Sequence, residues 1–266
     1  MHFAILKLLL LEVNISLLAE TSLIKMDEAL NFFINEKDIN IWKDVLTKYD
    51  DAIRALADYK KKLDLVSLDK FYRDEYINIV MSRDPPVLHL NELSNVMKWK
   101  LSRGKMRPLQ KLVDSNCDEE VRAITKSAIQ SLKDGDWEQG ILTLTSLKGI
   151  GPATASAILA PLFPDIVPFM ADEVLFITCD GKREYTMKAY HTMRSSLLNK
   201  SIELSGSSSL EDIGRCIWII YTLSTLNIPY INPSSAVVVD SSSHNYDTLA
   251  GTTTGNEPKS NKRKRN

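Results

Sequence analysis

The chain predicts an all-α fold, a bundle of many helices, and three observations carry that expectation. Apolar residues recur at the three-and-four spacing of a buried helix face along most of its length. The β-branched alternation that marks strands is missing. Ten glycines and ten prolines are few for 266 residues, while 44% hydrophobic and 25% charged residues suit a globular chain able to bury a core.

Taken in order, the chain opens with an apolar run from Phe3 to Leu18 that contains Lys7, Glu12 and Asn14. A membrane span needs about 20 nearly uncharged residues, so no span is expected. A signal peptide ending near Ala19 is the competing reading, but the charges interrupt its apolar region. Residues 1–25 are read as an apolar extension, either a packed amphipathic helix or a stretch ahead of an alternative start at Met26.

The region 26–228 reads as one helical domain. Asp38 is placed to cap a helix whose buried face is Trp42, Val45, Leu46, Tyr49, Ile53 and Leu56. Ser67 is placed to cap the next, with Phe71, Tyr72, Tyr76 and Val80, and Asp84-Pro85-Pro86 stops it because proline neither donates nor lets its predecessor stay helical. A helix follows from about Asn91, ended by Gly104. Others begin near Asp118 (Val121, Ile124, Ala128, Leu132) and at Asp136 (Trp137, Ile141, Leu144, Leu147). Beyond the prolines 161, 164 and 168, helices are expected at about 186–204 and 210–226. Ser209 and Asp212 open the second of these as a capping-box variant, and Ile213, Ile217, Ile220 and Tyr221 form its packed face.

Two stretches carry chemistry. In Leu147-Lys148-Gly149-Ile150-Gly151-Pro152-Ala153-Thr154-Ala155, an apolar helix runs into two glycines that allow a turn too tight for a Cβ. Pro152 then sits at the first turn of a second helix. This is a helix-hairpin-helix, and its exposed N–H groups suit a phosphate oxygen. The other stretch, from Met97 to Val113, holds six basic residues and no acid, among them Lys98, Lys100, Arg103, Lys105 and Arg107. It reads as a phosphate-contacting patch or as a solvated surface. Within it Trp99 is either a base-stacking ring or core, since Val96 and Arg103 share its face.

Charge confines any nucleic-acid contact to such a local patch. The net charge is −1 overall, and residues 1–228 hold 28 basic against 31 acidic residues. The three scattered cysteines, Cys117, Cys179 and Cys216, form no C-x-x-C pair or Cys/His cluster, so no zinc or iron–sulfur site, and no other cofactor, is expected. The tail 229–266 is rich in Ser, Thr, Asn and Gly and is expected to be disordered. Its basic end, Lys259 to Arg265, reads as a nuclear-localisation element or as a nonspecific contact for an anionic partner.

The Leu-x-Gly-Ile-Gly-x-x-Thr-Ala pattern in a helical context, followed by Pro168-Phe169-Met170-Ala171-Asp172-Glu173, resembles the helix-hairpin-helix DNA glycosylase superfamily. That superfamily includes the endonuclease III, alkyl-adenine and 8-oxoguanine glycosylases. The likeness covers chiefly residues 136–178. The blocks Lys98–Pro108, Leu147–Ala160 and Pro168–Glu173 look most like a little-characterised eukaryotic group related to those enzymes.

The resemblance implies a glycosylase-like bundle, double-stranded DNA as partner, and cleavage of the N-glycosidic bond of a flipped base. Asp172, nineteen residues after Ala153, matches the position of the superfamily's carboxylate, which stabilises the positive charge that develops on the sugar. Its competing reading is the N-cap of the helix that follows, and Glu173 is the rival carboxylate. Lys148, Gly149, Ile150 and Gly151, with the basic cluster, are the implied DNA contacts. Phe169 and Trp99 are candidates for the base pocket, with Trp218 and Tyr221 behind them. Ala153 stands where bifunctional members carry a lysine, so no lyase activity by that route and a monofunctional enzyme are expected. The alternative is a noncatalytic DNA-binding or scaffold protein, as in a nuclear chromatin complex.

Overall fold

The computed structural model describes residues 27–230, and every regular element in them is a helix. Helix α1 covers 27–35, followed by α2 (Ile39–Leu46), α3 (Tyr49–Lys60) and α4 (Leu65–Lys70). A π-helical turn at Phe71–Glu75 passes directly into α5 (Tyr76–Met81). Then come α6 (Leu90–Arg103), α7 (Gln110–Val113), α8 (Asp118–Lys133) and α9 (Trp137–Leu144). The chain continues with α10 (Pro152–Leu159), α11 (Asp172–Thr178), α12 (Met187–Glu203) and α13 (Leu210–Thr225). The readings made for residues 1–25 and for the tail beyond Tyr230 fall outside the described residues.

Capping explains where several of these begin. Asp38 accepts from the Asn40 amide at 2.8 Å, Asp136 from Gln139 at 2.9 Å, and Ser209 from Asp212 at 3.0 Å. Each satisfies an N–H that the first helical turn leaves without a partner. Other expectations need correction. The helix expected from Asp38 through Leu56 is two helices, broken where Thr47 turns its hydroxyl back onto the Asp44 carbonyl at 2.6 Å. Ser67 does not cap. It lies inside α4 and donates to Asp64 O at 2.9 Å. Asp118 does open α8, as expected, and its carboxylate accepts from the Leu90 amide at 2.8 Å, so one acid supports the start of α6 from a distant point in the chain.

Helix α13 lies at the centre and packs against α2, α3, α11 and α12. It is buried almost all round, from Leu210 to Leu223, as expected of a helix with apolar residues on every face. Tyr221, expected in its packed face, is only half-buried. Helix α10 is small and buried from Ala153 onward, its Ala153, Ala155 and Ala157 allowing close approach to α6 and α9. Its last carbonyls are taken up by two buried tyrosines of the π-turn and α5: Tyr72 Oη donates to Ala157 O at 2.7 Å and Tyr76 Oη to Ile158 O at 2.9 Å. The helix after the glycine turn is thereby locked to the rest of the bundle.

Candidate nucleic-acid interface and active site

The turn between α9 and α10 is held from outside. Asn116, just after α7, accepts from the Lys148 amide at 2.9 Å and donates to the Lys148 carbonyl at 3.0 Å and to Val113 O at 2.8 Å. Gly149 adopts φ +78°, and a Cβ there would meet Val113 Cγ2 at 2.9 Å, so this position requires glycine twice over. Gly151 differs from the expectation. Its backbone is extended, φ −110° and ψ −178°, and a Cβ would meet nothing within 4 Å. The space beside it opens into a cavity.

That cavity, about 530 Å³, brings together residues far apart in the chain. One wall is the turn itself, Gly149 and Gly151 to Thr154; another is Lys100, Arg103, Lys105 and Arg107 from the end of α6 and the loop after it. A third holds Phe169 to Glu173, and α13 contributes Trp218, Tyr221 and Thr222. Six basic side chains line it against two carboxylates, Asp172 and Glu173. In a chain of net charge −1 this concentrates positive potential at one opening.

The segment that presents Asp172 is extended and fastened at successive residues. Tyr190 Oη donates to Pro168 O at 3.0 Å, the Phe169 amide donates to Glu211 at 2.7 Å, and the Met170 amide donates to Ser156 Oγ at 3.0 Å. Three different helices thus hold three consecutive residues. Asp172 follows as the first residue of α11, whose N-cap is Ala171, so the capping reading of Asp172 is not what the carboxylate does. Instead Asp172 Oδ1 accepts from Tyr185 Oη at 2.7 Å. Arg107 lies over the Tyr185 ring, 5.0 Å from its centroid. Burial and the bond to Asp172 push the Tyr185 phenol above its ordinary pKa, keeping it a donor.

Neighbouring charges are tuned by desolvation. Burial raises the pKa of Glu173, with Arg103 opposing it. Burial lowers that of Lys100, with Asp172 partly offsetting it, and lowers that of Lys60, with Glu173 offsetting. Lys60 donates to Arg103 O at 2.6 Å and Gly104 O at 2.7 Å, closing the end of α6 where cations are favoured.

Four of the expected site residues lie elsewhere. Trp99 is 1% exposed and does not face the cavity. It stacks on Tyr72 at a centroid distance of 3.5 Å and donates to Asp69 at 2.9 Å. Asp69, itself buried, also accepts from Tyr49 and Arg73, so Trp99 belongs to a core polar network rather than to a base pocket. Ile150 is buried because an apolar side chain in a tight turn packs inward, so its side chain does not line the cavity. Lys98 and Lys148 are exposed and are not part of the cavity lining; Lys98 reaches Asn95 and Lys148 the Ser115 carbonyl. Phe169 does line the cavity. Reasoning on the sequence missed Lys60, Arg183, Tyr185 and Asn116. None sits in a motif, and only the lysine run 60–62 hinted at one of them.

No protein-family model matches the chain, and no curated protein or solved structure matches it either. The functional reading therefore rests on the site. Among the described residues no helix is long and apolar enough to cross a membrane.

Proposed function

We propose that this protein is a monofunctional DNA N-glycosylase of the helix-hairpin-helix kind, holding a flipped nucleotide in the cavity and hydrolysing its N-glycosidic bond with Asp172. The observation that carries the reading is that Asp172, the glycine turn and Lys100 to Arg107 line one cavity. In this reading the duplex backbone rests at the turn. The amides of Gly149, Gly151 and Ala153 donate to no acceptor among the described residues there, and the open space at Gly151 admits a phosphate oxygen. Lys105 and Arg107, both exposed, add charge along the strand.

A base turned out of the stack would enter between Phe169, Trp218 and Tyr221, which supply apolar and aromatic surface. As the bond to the base breaks, positive charge builds on the sugar. Asp172, held by Tyr185 and by the fastened segment before it, stabilises that charge without having to reorganise and orients the attacking water. Ala153, at the first turn of α10, offers no amine for a covalent intermediate. The basic segment from Lys259 to Arg265 fits a nuclear protein.

The test is a panel of duplexes, each with one damaged or mispaired base, scored for abasic-site formation by wild type and Asp172→Asn. Product from wild type that vanishes in the variant is the expected outcome. Undiminished product in the variant removes Asp172 from the mechanism. Duplex binding without product on any base returns the noncatalytic DNA-binding reading.

A further inference from the structure

Arg103 is a charge buried without a counter-ion among the described residues. It is 7% exposed, and its guanidinium is enclosed by three aromatic rings: Trp218 at 4.1 Å, Phe169 at 5.3 Å and Trp99 at 5.4 Å from their centroids. Among the described residues no carboxylate lies within ion-pair distance of it, and its Nε is buried with no hydrogen-bond partner. The rings repay part of the lost hydration, since their faces attract a cation. They cannot satisfy its N–H donors, and a buried donor left unpaired is costly. Arg103 lines the cavity, and its two terminal nitrogens make no hydrogen bond among the described residues, so it is these donors, rather than the shielded Nε, that an occupant would engage.

The chemistry of the surroundings narrows the occupant. Phe169 and Trp218 flank Arg103 with flat apolar surface, which favours a planar ring system over an aliphatic one. Asp172 and Glu173 share the lining with the basic groups, so an occupant that presents both acceptor and donor edges uses more of it than a bare anion does. A neutral heteroaromatic ring with two adjacent acceptors matches the fork of a guanidinium, and the O6/N7 edge of a 6-oxopurine is such a pair. Beside O6 such a base carries an N1–H donor, for which Glu173 is an available acceptor.

We propose that Arg103 is the specificity-determining residue of the cavity and selects a 6-oxopurine by donating to O6 and N7. This rests on the reading of the cavity as a nucleotide site. Adenine is disfavoured because its N6 amino group turns donors toward the guanidinium. Cytosine offers an acceptor pair of its own but only one ring to fill the cavity beside Arg103.

The experiment measures binding of hypoxanthine, adenine and cytosine to the full chain by calorimetry, and in parallel its affinity for a duplex bearing a tetrahydrofuran abasic-site analogue. Hypoxanthine should bind about tenfold or more tighter than adenine, in keeping with one good bidentate pair. In Arg103→Gln that preference should disappear, because glutamine matches the N6/N7 edge of adenine instead. The wild-type series decides by itself if the variant fails to fold. Adenine or cytosine binding as tightly as hypoxanthine, with the duplex still bound, overturns the role of Arg103 alone. Loss of both base and duplex binding overturns the nucleotide-site reading beneath it.

Discussion

Ser156 Oγ accepts the amide of Met170 at 3.0 Å while donating to Ala153 O at 3.2 Å, so the helix that follows the glycine turn also holds the segment that carries Asp172. The turn and the carboxylate are therefore one mechanical unit. The glycine turn and the placement of the acid have a common support.

Ser156→Ala leaves the Met170 N–H buried without an acceptor, since both residues are shielded from solvent. We expect a loss of about 1–3 kcal/mol in urea unfolding. Hydrogen exchange at Met170 should quicken by more than at the fastened neighbour Phe169. Equal exchange at both would show that the serine bond does not hold the segment.

The two glycines of the turn should part company. Gly149→Val forces a β-branched residue to φ +78° and into Val113 Cγ2, costing stability by about 2 kcal/mol or more. Gly151→Val meets open space, so its melting temperature should stay close to wild type while duplex affinity falls at least several-fold. Unchanged duplex affinity in folded Gly151→Val argues against a phosphate at the turn.

Tyr185→Phe removes one O–H and little else from the neighbourhood of Asp172. As a positioning residue, Tyr185 should affect kcat rather than KM. The expected fall in kcat is about tenfold, the equivalent of one hydrogen bond of about 1.4 kcal/mol. A change in KM alone would assign the tyrosine to binding.

Trp99→Phe tests the core role. It removes the donor to Asp69 and part of the stack on Tyr72, so unfolding free energy should drop by about 1–3 kcal/mol. Activity per folded molecule should be retained. Phe169→Ala should do the reverse in emphasis, weakening base binding most.

Alkaline pH should unfold the protein early. Burial raises the phenol pKa of Tyr49, Tyr72, Tyr76 and Tyr190 above the ordinary value of 10.0. The unfolded chain releases these protons near pH 10 and the folded chain does not. Their contribution is complete below that value and falls as pH rises past it, by roughly 1.4 kcal/mol per tyrosine per pH unit. Unfolding curves from pH 8 to 12, followed with tyrosinate absorbance, would show the loss and its coincidence with ionisation.

Local chemistry was legible in the chain wherever one short segment decides the outcome. Helical periodicity, the caps at Asp38, Asp136 and Ser209, and the stop at Pro85 are choices a few neighbouring residues make for themselves. So was the glycine turn, because a positive φ at Gly149 is a demand on one residue. Trp99 marks the limit. Its face was assigned, but whether an aromatic on that face reads a ligand or fills the core depends on Asp69 and Tyr72, thirty and twenty-seven positions away. Asp172 was located by spacing alone, and its tyrosine partner and the three clamps on its segment come from α10, α12, α13 and the loop before α12. Sequence, acting over one or two turns of helix, determined which segments are helical and where the chain must bend. The packing of those helices around α13 decided which charges share a cavity, because convergence of distant residues is a property of how faces fit together and leaves no local pattern to read.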